Sequence, residues 1–371
     1  MKSNWKEERL GSLVRFSSGG TPNKNNPSYW NGTIPWISAK NMKSEVIETS
    51  DLSITEEGLI HGSKIAPKGS LLLLVRGSGL FNGIPVCYLE NAVAYNQDVK
   101  CIESTSELEN KYLFYWLKAN SGYLRKKIEF TSIGAGKFDT RFLSNLVVRF
   151  PDKVTRKKII DIADNISDRI NINRKINENL AQQAQAIYAD IFITNADPAW
   201  PLGHLSDLIT VRYGKDHKKL DDGPFPVYGS GGVMRYVERP IYEKESVLIP
   251  RKGTLNNVMY VNEPFWSVDT MFFTEMKLPD VAKFVFHFVK SKDLASLNAG
   301  SAVPSMTTDI LNAMELCIPD PETLKCFESI VGPMYRTMQH NTEESKKLAT
   351  VRDTLLPRLM SGELDVSKLD L

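Results

Sequence analysis

Four sequence landmarks occur twice in this chain of 371 residues, and both copies keep them in the same order. The first is an opening strand, which contains Trp5 and Leu10 in one copy and Trp200 and Leu202 in the other. The offset between paired landmarks falls steadily from about 192 to about 168 residues. Chance matches would not stay collinear in this way. The repeat therefore predicts two similar modules, of which the second is shorter.

The other three landmarks describe what each module contains. An apolar strand ends in a basic turn, LLLLVRGS at 71–78 and SVLIPRKGT at 246–254, which pairs Arg76 with Arg251. A strand then enters a polar corner, AYNQDV at 94–99 and WSVDTMFF at 266–273. Last, a Gly/Ser loop leads through a short apolar strand to a Pro-Asp step that ends at Asp152 and Asp320.

A long amphipathic helix is predicted after each Pro-Asp step. Residues 154–192 carry apolar side chains three or four apart, and residues from Pro321 onward follow a heptad. Asp152 and Asp320 are suitable N-caps, and Pro321 suits the first helical position. Both helices have polar residues in their apolar stripes, and we expect these polar zones to meet in an antiparallel pair. The residues are Asn171, Asn173 and Asn177 in the first helix and Asn341, Ser345 and Arg352 in the second.

The predicted fold class is α+β, with two similar α/β modules joined by two long antiparallel helices that form a coiled coil. Each module combines short β-rich runs with one helix, at 110–127 and 279–294. The predicted boundaries are 1–152 for the first module, 153–195 for the central helix, 196–320 for the second module and 321–371 for the C-terminal helix.

Charge and hydropathy place the chain among globular proteins without a membrane span. The net charge of +2 means that an acidic partner would be bound by local basic patches. The N-terminus is too charged for a signal peptide, and the apolar run at 71–75 is far shorter than a bilayer requires. A cytoplasmic location is expected.

Two strings invite a catalytic interpretation. Residues 26–29 read Asn-Pro-Ser-Tyr, one residue from the Asn-Pro-Pro-Tyr signature of amino-methyltransferases, but no glycine-rich cofactor loop precedes them. Residues 134–137 resemble a phosphate-binding loop, but Phe138 stands where Ser or Thr is needed. A turn explains the first string; a DNA phosphate contact or a plain turn remains open for the second. The cysteines and histidines lack metal-site spacing. We therefore expect no catalytic residue, metal site or cofactor in this chain.

Turns rich in Gly, Ser, Asn and basic residues occur at matching places in both modules. They lie at 17–21, 76–78, 96–97 and 132–137 in the first module and at 213–215, 229–232, 251–254 and 301–307 in the second. Small residues let backbone amides approach phosphates, and Arg, Asn and Gln can bond base edges. The predicted DNA contacts are Arg76, Ser78, Asn96, Gln97, Lys137, Lys215, Arg251, Lys252, Thr254 and Ser305. Ordinary loop composition, or a structural ion pair at Arg76 and Arg251, is the alternative for each.

Three stretches resemble the specificity subunit of type I restriction-modification enzymes, and together they extend the resemblance over nearly the whole chain. Residues 156–192 resemble the central helical region of that family, residues 355–366 (LLPRLMSGELDV) resemble its C-terminal ending, and residues 19–42 resemble a frequent opening of its target-recognition domains.

The resemblance implies that each module reads one half of a bipartite, asymmetric site on double-stranded DNA, while the helices set the spacing. It also implies two methyltransferase subunits as partners, which two restriction-translocation subunits can join. Those partners would supply the S-adenosylmethionine, ATP and Mg²⁺ chemistry. The family's base-contacting positions follow no transferable motif, so the predicted contacts rest on turn chemistry alone. The alternatives are a stand-alone DNA methyltransferase or nuclease fragment, and a coiled-coil scaffold protein.

Overall fold

The computed structural model describes residues 5–42, 44–130, 136–297 and 305–366. The chain divides into two compact units, residues 1–172 with 343–371, and residues 173–342. We call them unit 1 and unit 2. Each unit contains one module together with portions of both long helices, so each module packs on helical segments that are distant in sequence.

Unit 1 begins with a mixed α/β module. Its strands and helices are, in chain order, β1 (Lys6–Arg9), α1 (Leu10–Leu13), β2 (Val14–Ser18), β3 (Trp30–Ile37), β4 (Val46–Ile47), β5 (Ser53–Ile54), α2 (Glu56–Ile60), β6 (Ile65–Ala66), β7 (Leu71–Leu74), β8 (Arg76–Gly77), β9 (Val86–Leu89), β10 (Val93–Tyr95), β11 (Val99–Ser104), α3 (Asn110–Ala119), α4 (Ser121–Arg125), β12 (Glu129–Phe130), β13 (Gly136–Lys137), α5 (Thr140–Ser144) and β14 (Val147–Phe150).

The central sheet of unit 1 has the strand order β2-β11-β7-β9-β4 over the described residues. Its middle strand β7 is four leucines, all buried, as expected for a strand covered on both faces. A second sheet has the order β5-β3-β10-β6, in which β10 runs parallel to β3. The ends of the module are tied together, because β1 pairs antiparallel with β14.

Unit 2 repeats this plan with fewer elements. They are β15 (Leu202–His204), α7 (Leu205–Leu208), β16 (Ile209–Tyr213), β17 (Phe225–Gly229), β18 (Gly232–Val237), β19 (Ser246–Pro250), β20 (Met259–Val261), β21 (Trp266–Ser267), β22 (Met271–Met276), α8 (Ala282–Lys290), α9 (Thr308–Asn312) and β23 (Glu315–Cys317). The sheets have the orders β16-β22-β19-β20 and β18-β17-β21, and β15 pairs with β23. The strand orders match those of unit 1, and β21 again runs parallel to its neighbour.

Hydrogen bonds at the start of each module give the register of the duplication. The Leu10 amide donates to the Leu146 carbonyl and the Leu205 amide donates to the Met314 carbonyl, both at 2.8 Å. Leu10 therefore corresponds to Leu205, and the sequence pairing of Leu10 with Leu202 is wrong by three residues. The mismatch arises because Gly203 follows a leucine, as Gly11 does. Gly203 lies in strand β15, however, where a Cβ would meet Ile318.

Two long helices follow the modules, α6 (Lys153–Ala189) and α10 (Pro321–Met360). A π-helical turn, Asp190–Thr194, continues α6. Each start is capped as predicted. Asp152 accepts from the Thr155 amide at 3.0 Å, and Asp320 accepts from the Thr323 amide at 2.9 Å. These bonds hold the pKa of both carboxyl groups below the ordinary range.

The predicted asparagine layer is confirmed within unit 2. Asn177 donates to the Met338 carbonyl at 3.0 Å, Asn341 donates to the Asn177 side chain at 2.9 Å, and Asn173 donates to the Asn341 carbonyl at 3.4 Å. The sequence numbers rise along one helix as they fall along the other, so the helices run antiparallel. Asn173 and Asn177 therefore lie at the interface between the helices. Ile176, which the apolar spacing placed at that interface, is 40% exposed.

Arg352, also assigned to the polar seam from sequence, has a different partner. Arg352 is 4% exposed, and its guanidinium donates to Glu45 of the module at 2.6 Å. In unit 1 a second buried arginine does the same, because Arg156 pairs with Glu109 at 2.8 Å and donates to the Pro151 carbonyl at 3.0 Å. A buried charge must be paired to remain in the interior. These contacts fix the module of unit 1 to its helices.

The module of unit 2 is fixed to its helices by a histidine. His287 on α8 is 2% exposed, with Nδ1 2.8 Å from Gln185 on α6 and Nε2 3.0 Å from Tyr335 on α10. Its ring stacks on Tyr188, with the centroids 5.3 Å apart. Burial lowers the pKa of His287 to about 4, with a smaller contribution from Lys290. The imidazole is therefore neutral at physiological pH.

Candidate nucleic-acid interface

The turn between β10 and β11 anchors the predicted DNA-binding loops of unit 1. The Asn96 amide donates to the Ile37 carbonyl at 2.9 Å, and the Asp98 carbonyl accepts from the Val75 and Arg76 amides at 2.9 and 3.2 Å. Asn96 is 6% exposed, and its side chain bonds the backbone and carboxylate of Asp98. Asn96 thus shapes the turn, and Gln97 is the exposed residue at its tip. We call residues 96–98 the unit 1 corner.

The glycine loop at 17–21 lies directly on this corner. The Gly20 amide donates to the Tyr95 carbonyl at 2.9 Å. A Cβ on Gly19 would lie 1.9 Å from the same carbonyl oxygen, so only glycine allows the approach. The Thr21 hydroxyl then donates to Oε1 of Gln97 at 2.7 Å. The loop therefore orients the exposed amide.

Basic side chains flank the unit 1 corner. Arg76 and Lys137 face each other across the paired strands β8 and β13, and the Arg76 amide is bonded to the corner itself. Ser78 is exposed and begins a 3-10 helix, Ser78–Asn82. Of the predicted loop at 132–137, residues 132–135 lie outside the described part of the chain. The structure brings Arg76, Gln97 and Lys137 to one side of the module.

Unit 2 builds the same corner from residues 268–270, between β21 and β22. The Val268 amide donates to the Tyr228 carbonyl at 3.1 Å, and the Thr270 carbonyl accepts from the Arg251 and Lys252 amides at 2.9 and 3.2 Å. The Lys215 amide donates to the Ser267 carbonyl at 2.8 Å, as Gly20 does to Tyr95. A Cβ on Gly214 would lie 2.0 Å from the Val268 carbonyl oxygen. We call residues 268–270 the unit 2 corner.

These equivalent bonds correct the predicted pairing of Arg76 with Arg251. Val75 and Arg251 are the first donors to their corners, and Arg76 and Lys252 are the second. Arg76 also pairs with Lys137 in register, while Lys252 bridges to Ser305. Lys252 is therefore the counterpart of Arg76. Arg251 occupies the position of buried Val75 and lies half-buried over the Tyr213 ring, 5.3 Å from its centroid.

The hairpin tip between β17 and β18 also reaches the unit 2 corner region. The Asn257 side chain donates to the Ser230 carbonyl at 2.8 Å, and a Cβ on Gly253 would meet the Ser230 hydroxyl at 2.7 Å. Thr254 is exposed in the same loop. Residues 301–304 of the predicted loop at 301–307 lie outside the described residues. The first three predicted turns of unit 2, and Ser305 of the fourth, thus lie around the unit 2 corner.

The basic residues on the corner surfaces differ in ion pairing from basic residues elsewhere on the modules. Arg15 is paired with Glu103, Arg212 with Glu275 and Arg235 with Asp222. Within the described residues, no ion pair holds the five predicted cations: Arg76, Lys137, Lys215, Arg251 and Lys252. Cations without carboxylate partners are available to a polyanion.

Three residues of the surface were not among the predicted DNA contacts, although Thr21 and Tyr213 lie in predicted turns. Asp269 is the exposed tip of the unit 2 corner, Thr21 orients Gln97, and the Tyr213 ring supports Arg251. The sequence landmark at 266–273 contains Asp269, but only the backbone bonds show that it is the tip of the corner and the counterpart of Gln97.

The described residues of the two strings that invited a catalytic interpretation lie in ordinary secondary structure. Asn26 caps the short helix Pro27–Tyr29, since its side chain accepts from the amide and the hydroxyl of Ser28 at 3.1 and 2.9 Å. Gly136 and Lys137 belong to strand β13. Over the described residues, no group of three or more His, Cys, Asp or Glu side chains is placed to hold a metal ion. No helix in the same residues has the length and hydropathy to span a membrane.

The family model for the type I restriction modification DNA specificity domain matches residues 2–182 and 199–348. The chain belongs to this family. It is 28% identical to the EcoR124I/EcoR124II specificity subunit of Escherichia coli, over 52% of this chain and 49% of that protein. That alignment spans about half the length of the relative. The chain is 22% identical to the MjaIX specificity subunit of Methanocaldococcus jannaschii, over 99% of this chain and 95% of that one.

A solved structure shows the same fold. The type I system S subunit of Mycoplasma genitalium is 19% identical, matches 96% of each chain and superposes with a TM-score of 0.53. The predicted α+β fold class, with two modules joined by long helices, is confirmed. The chain is a type I specificity subunit, and such subunits are non-catalytic DNA recognition components that work in complexes with other subunits.

Proposed function

We propose that each unit reads one half of a bipartite, asymmetric DNA target through its corner surface. The observation that carries this proposal is the repeated corner: both units bring a glycine-tightened loop, unpaired cations and one exposed polar tip to the same place in the fold. The tips differ, Gln97 in one unit and Asp269 in the other. Because their hydrogen-bonding patterns differ, the two half-sites differ as well.

The long helices set the distance between the half-sites and dock the catalytic partners. Helix α6 has 37 residues, which corresponds to about 55 Å at ~1.5 Å per residue. That is an upper limit of about 16 base pairs at ~3.4 Å each. The partners are two methyltransferase subunits, which supply S-adenosylmethionine chemistry at adenine N6, and two ATP-dependent restriction-translocation subunits that join them. This chain contributes no cofactor.

Methylation mapping tests the proposal directly. Cells that express the chain with its methyltransferase partner should carry N6-methyladenine in one bipartite motif, read by long-read sequencing, and cells with either component alone should not. The purified chain incubated with labelled S-adenosylmethionine and DNA should transfer no methyl group. Transfer by the chain alone would support a stand-alone methyltransferase instead, and absence of any bipartite motif in the complete system would support a scaffold protein.

A further inference from the structure

One exposed residue lies at the tip of each corner, between two backbone anchors that the units share. In unit 1 the anchors are the Asn96 amide and the Asp98 carbonyl, and the residue between them is Gln97. In unit 2 the anchors are the Val268 amide and the Thr270 carbonyl, and the residue between them is Asp269. The backbone thus holds two chemically different side chains in equivalent places.

The flanking cations are matched in charge between the two units. Arg76 and Lys252 occupy equivalent positions and carry the same charge, so they suit the phosphate contacts that position a protein on DNA. The corner tips, by contrast, differ in what they donate and accept. An amide both donates and accepts, and a carboxylate only accepts.

Gln97 is oriented for a bidentate contact. Its Oε1 accepts from Thr21 at 2.7 Å, which fixes the amide plane and leaves a second lone pair on Oε1 and the donors of Nε2 for a ligand. One donor beside one acceptor matches N7 and the N6 amino group of adenine in the major groove. No other base edge in that groove presents this pair on a single base.

Asp269 is an exposed carboxylate on a surface with unpaired cations, yet no hydrogen bond or ion pair involves it within the described residues. Arg251 donates to its backbone carbonyl, at 3.5 Å, and not to its carboxylate. Near DNA a carboxylate is repelled by phosphates unless it accepts from a base amino group. The usual donor to an acidic side chain is N4 of cytosine.

We propose that Gln97 and Asp269 are specificity-determining residues: Gln97 reads an adenine in the half-site of unit 1, and Asp269 accepts from N4 of a cytosine in the half-site of unit 2. This assignment rests on the proposed function and deepens it by naming one base in each half-site.

The decisive variant is Asp269→Asn in the chain expressed with its methyltransferase partner. The amide is isosteric, but it donates as well as accepts, so one position of the unit 2 half-site should change from cytosine to adenine preference by about 10-fold or more. The other half-site should not change. Asp221→Asn, an exposed aspartate of the same unit away from the corner, removes the same charge and should leave the motif as it was.

The reciprocal variant Gln97→Glu should move one adenine position of the other half-site toward cytosine. Thr21→Val removes the orienting hydroxyl and should weaken the adenine preference without changing its identity. If a variant abolishes methylation, competition binding by the purified complex, with targets that carry each base at each half-site position, gives the same preference ratio.

An unchanged motif in the Asp269→Asn complex, or an equal change in the Asp221→Asn complex, would overturn the assignment. The proposed function would stand in that case, provided that the wild-type complex methylates a bipartite motif. Absence of a bipartite motif in the wild-type complex would overturn both.

Discussion

Single residues on the corner surfaces divide into exposed residues that we propose as DNA contacts and residues that support them. Arg251 and Lys252 are neighbours in sequence, but the first is half-buried over Tyr213 and the second is exposed at the position equivalent to Arg76. The sequence predicted both as DNA contacts and paired Arg251 with Arg76, whereas the backbone bonds pair Lys252 with Arg76. Replacement of Lys252 should therefore affect DNA binding differently from replacement of Arg251.

Lys252→Ala should weaken binding of the complex to its target mainly by losing one phosphate contact. The slope of log affinity against log salt concentration is negative, and its magnitude should fall by about 0.9, with the base preference unchanged. Titrations of labelled target DNA at several salt concentrations measure the slope. Lys277→Ala is the control, because Lys277 donates to the Ser206 carbonyl and lies outside the predicted contacts. Equal slopes for Lys252→Ala and the wild type would remove Lys252 from the interface.

His287 makes the stability of the folded chain depend on pH between about 4 and 6.5. Its folded pKa of about 4 lies below the ordinary 6.5. Above pH 6.5 neither state is protonated, and as pH falls from 6.5 toward 4 the unfolded chain binds a proton that the folded chain does not. Stability is therefore lost over that window, by about 2 kcal/mol at pH 5.

His287→Gln keeps a donor and an acceptor for Gln185 and Tyr335 but does not titrate. Melting temperatures at pH 7.5 and pH 5.0 should therefore differ less for this variant than for the wild type. The control His340→Gln changes an exposed histidine. An equal pH-dependent loss in wild type and His287→Gln would mean that His287 is not held neutral.

At the scale of elements, the sequence predicted the helices better than their packing. Apolar spacing and the capping residues Asp152 and Asp320 gave the starts of both helices and the end of α6 to within a few residues. The second helix, however, ends at Met360 and not at the predicted residue 371. Those signals are local, so they can be read from a sequence. The burial of Asn173 in place of Ile176 and the contact of Arg352 with Glu45 depend on what each helix packs against. The same is true of the corners, where only long-range backbone bonds reveal which residue is the tip.

The asparagine layer should fix the register of the helices. A buried Asn specifies register because other alignments leave its amide unpaired. Asn341→Leu removes the bond to Asn177 and should leave the chain folded with a looser register. Cysteines in place of Arg169 and Glu344, which are 3.2 Å apart as an ion pair, should be joined by a bifunctional maleimide in the otherwise native helices.

In the Asn341→Leu background, a cysteine one heptad away at Val351 should also be joined to the cysteine at position 169. The exposed Cys317 and Cys326 are first replaced by serine. Crosslinking only between positions 169 and 344 in both backgrounds would show that the layer does not determine register.

Each module is closed by its own first and last strands. Lys6–Arg9 pairs with Val147–Phe150, and Leu202–His204 pairs with Glu315–Cys317. A Pro-Asp step and a capped helix follow immediately in both copies. The module ends are therefore adjacent and equivalent, which makes each module a natural unit of exchange.

Replacing residues 196–320 with a second copy of residues 1–152 should give both half-sites the same sequence. The junctions fall outside the paired closing strands, and the helices are retained. Methylation mapping of cells that express this chimera with its partner should show a motif built from two copies of the unit 1 half-site. The first module contacts helical residues such as Asp164 and Arg156, whereas the second module contacts a different set, Gln185, Glu328 and Tyr335. Weaker docking and lower activity are therefore expected. A pull-down should first show that the chimera assembles with its partner. If the assembled chimera then methylates the wild-type motif, the module does not determine which half-site is recognised.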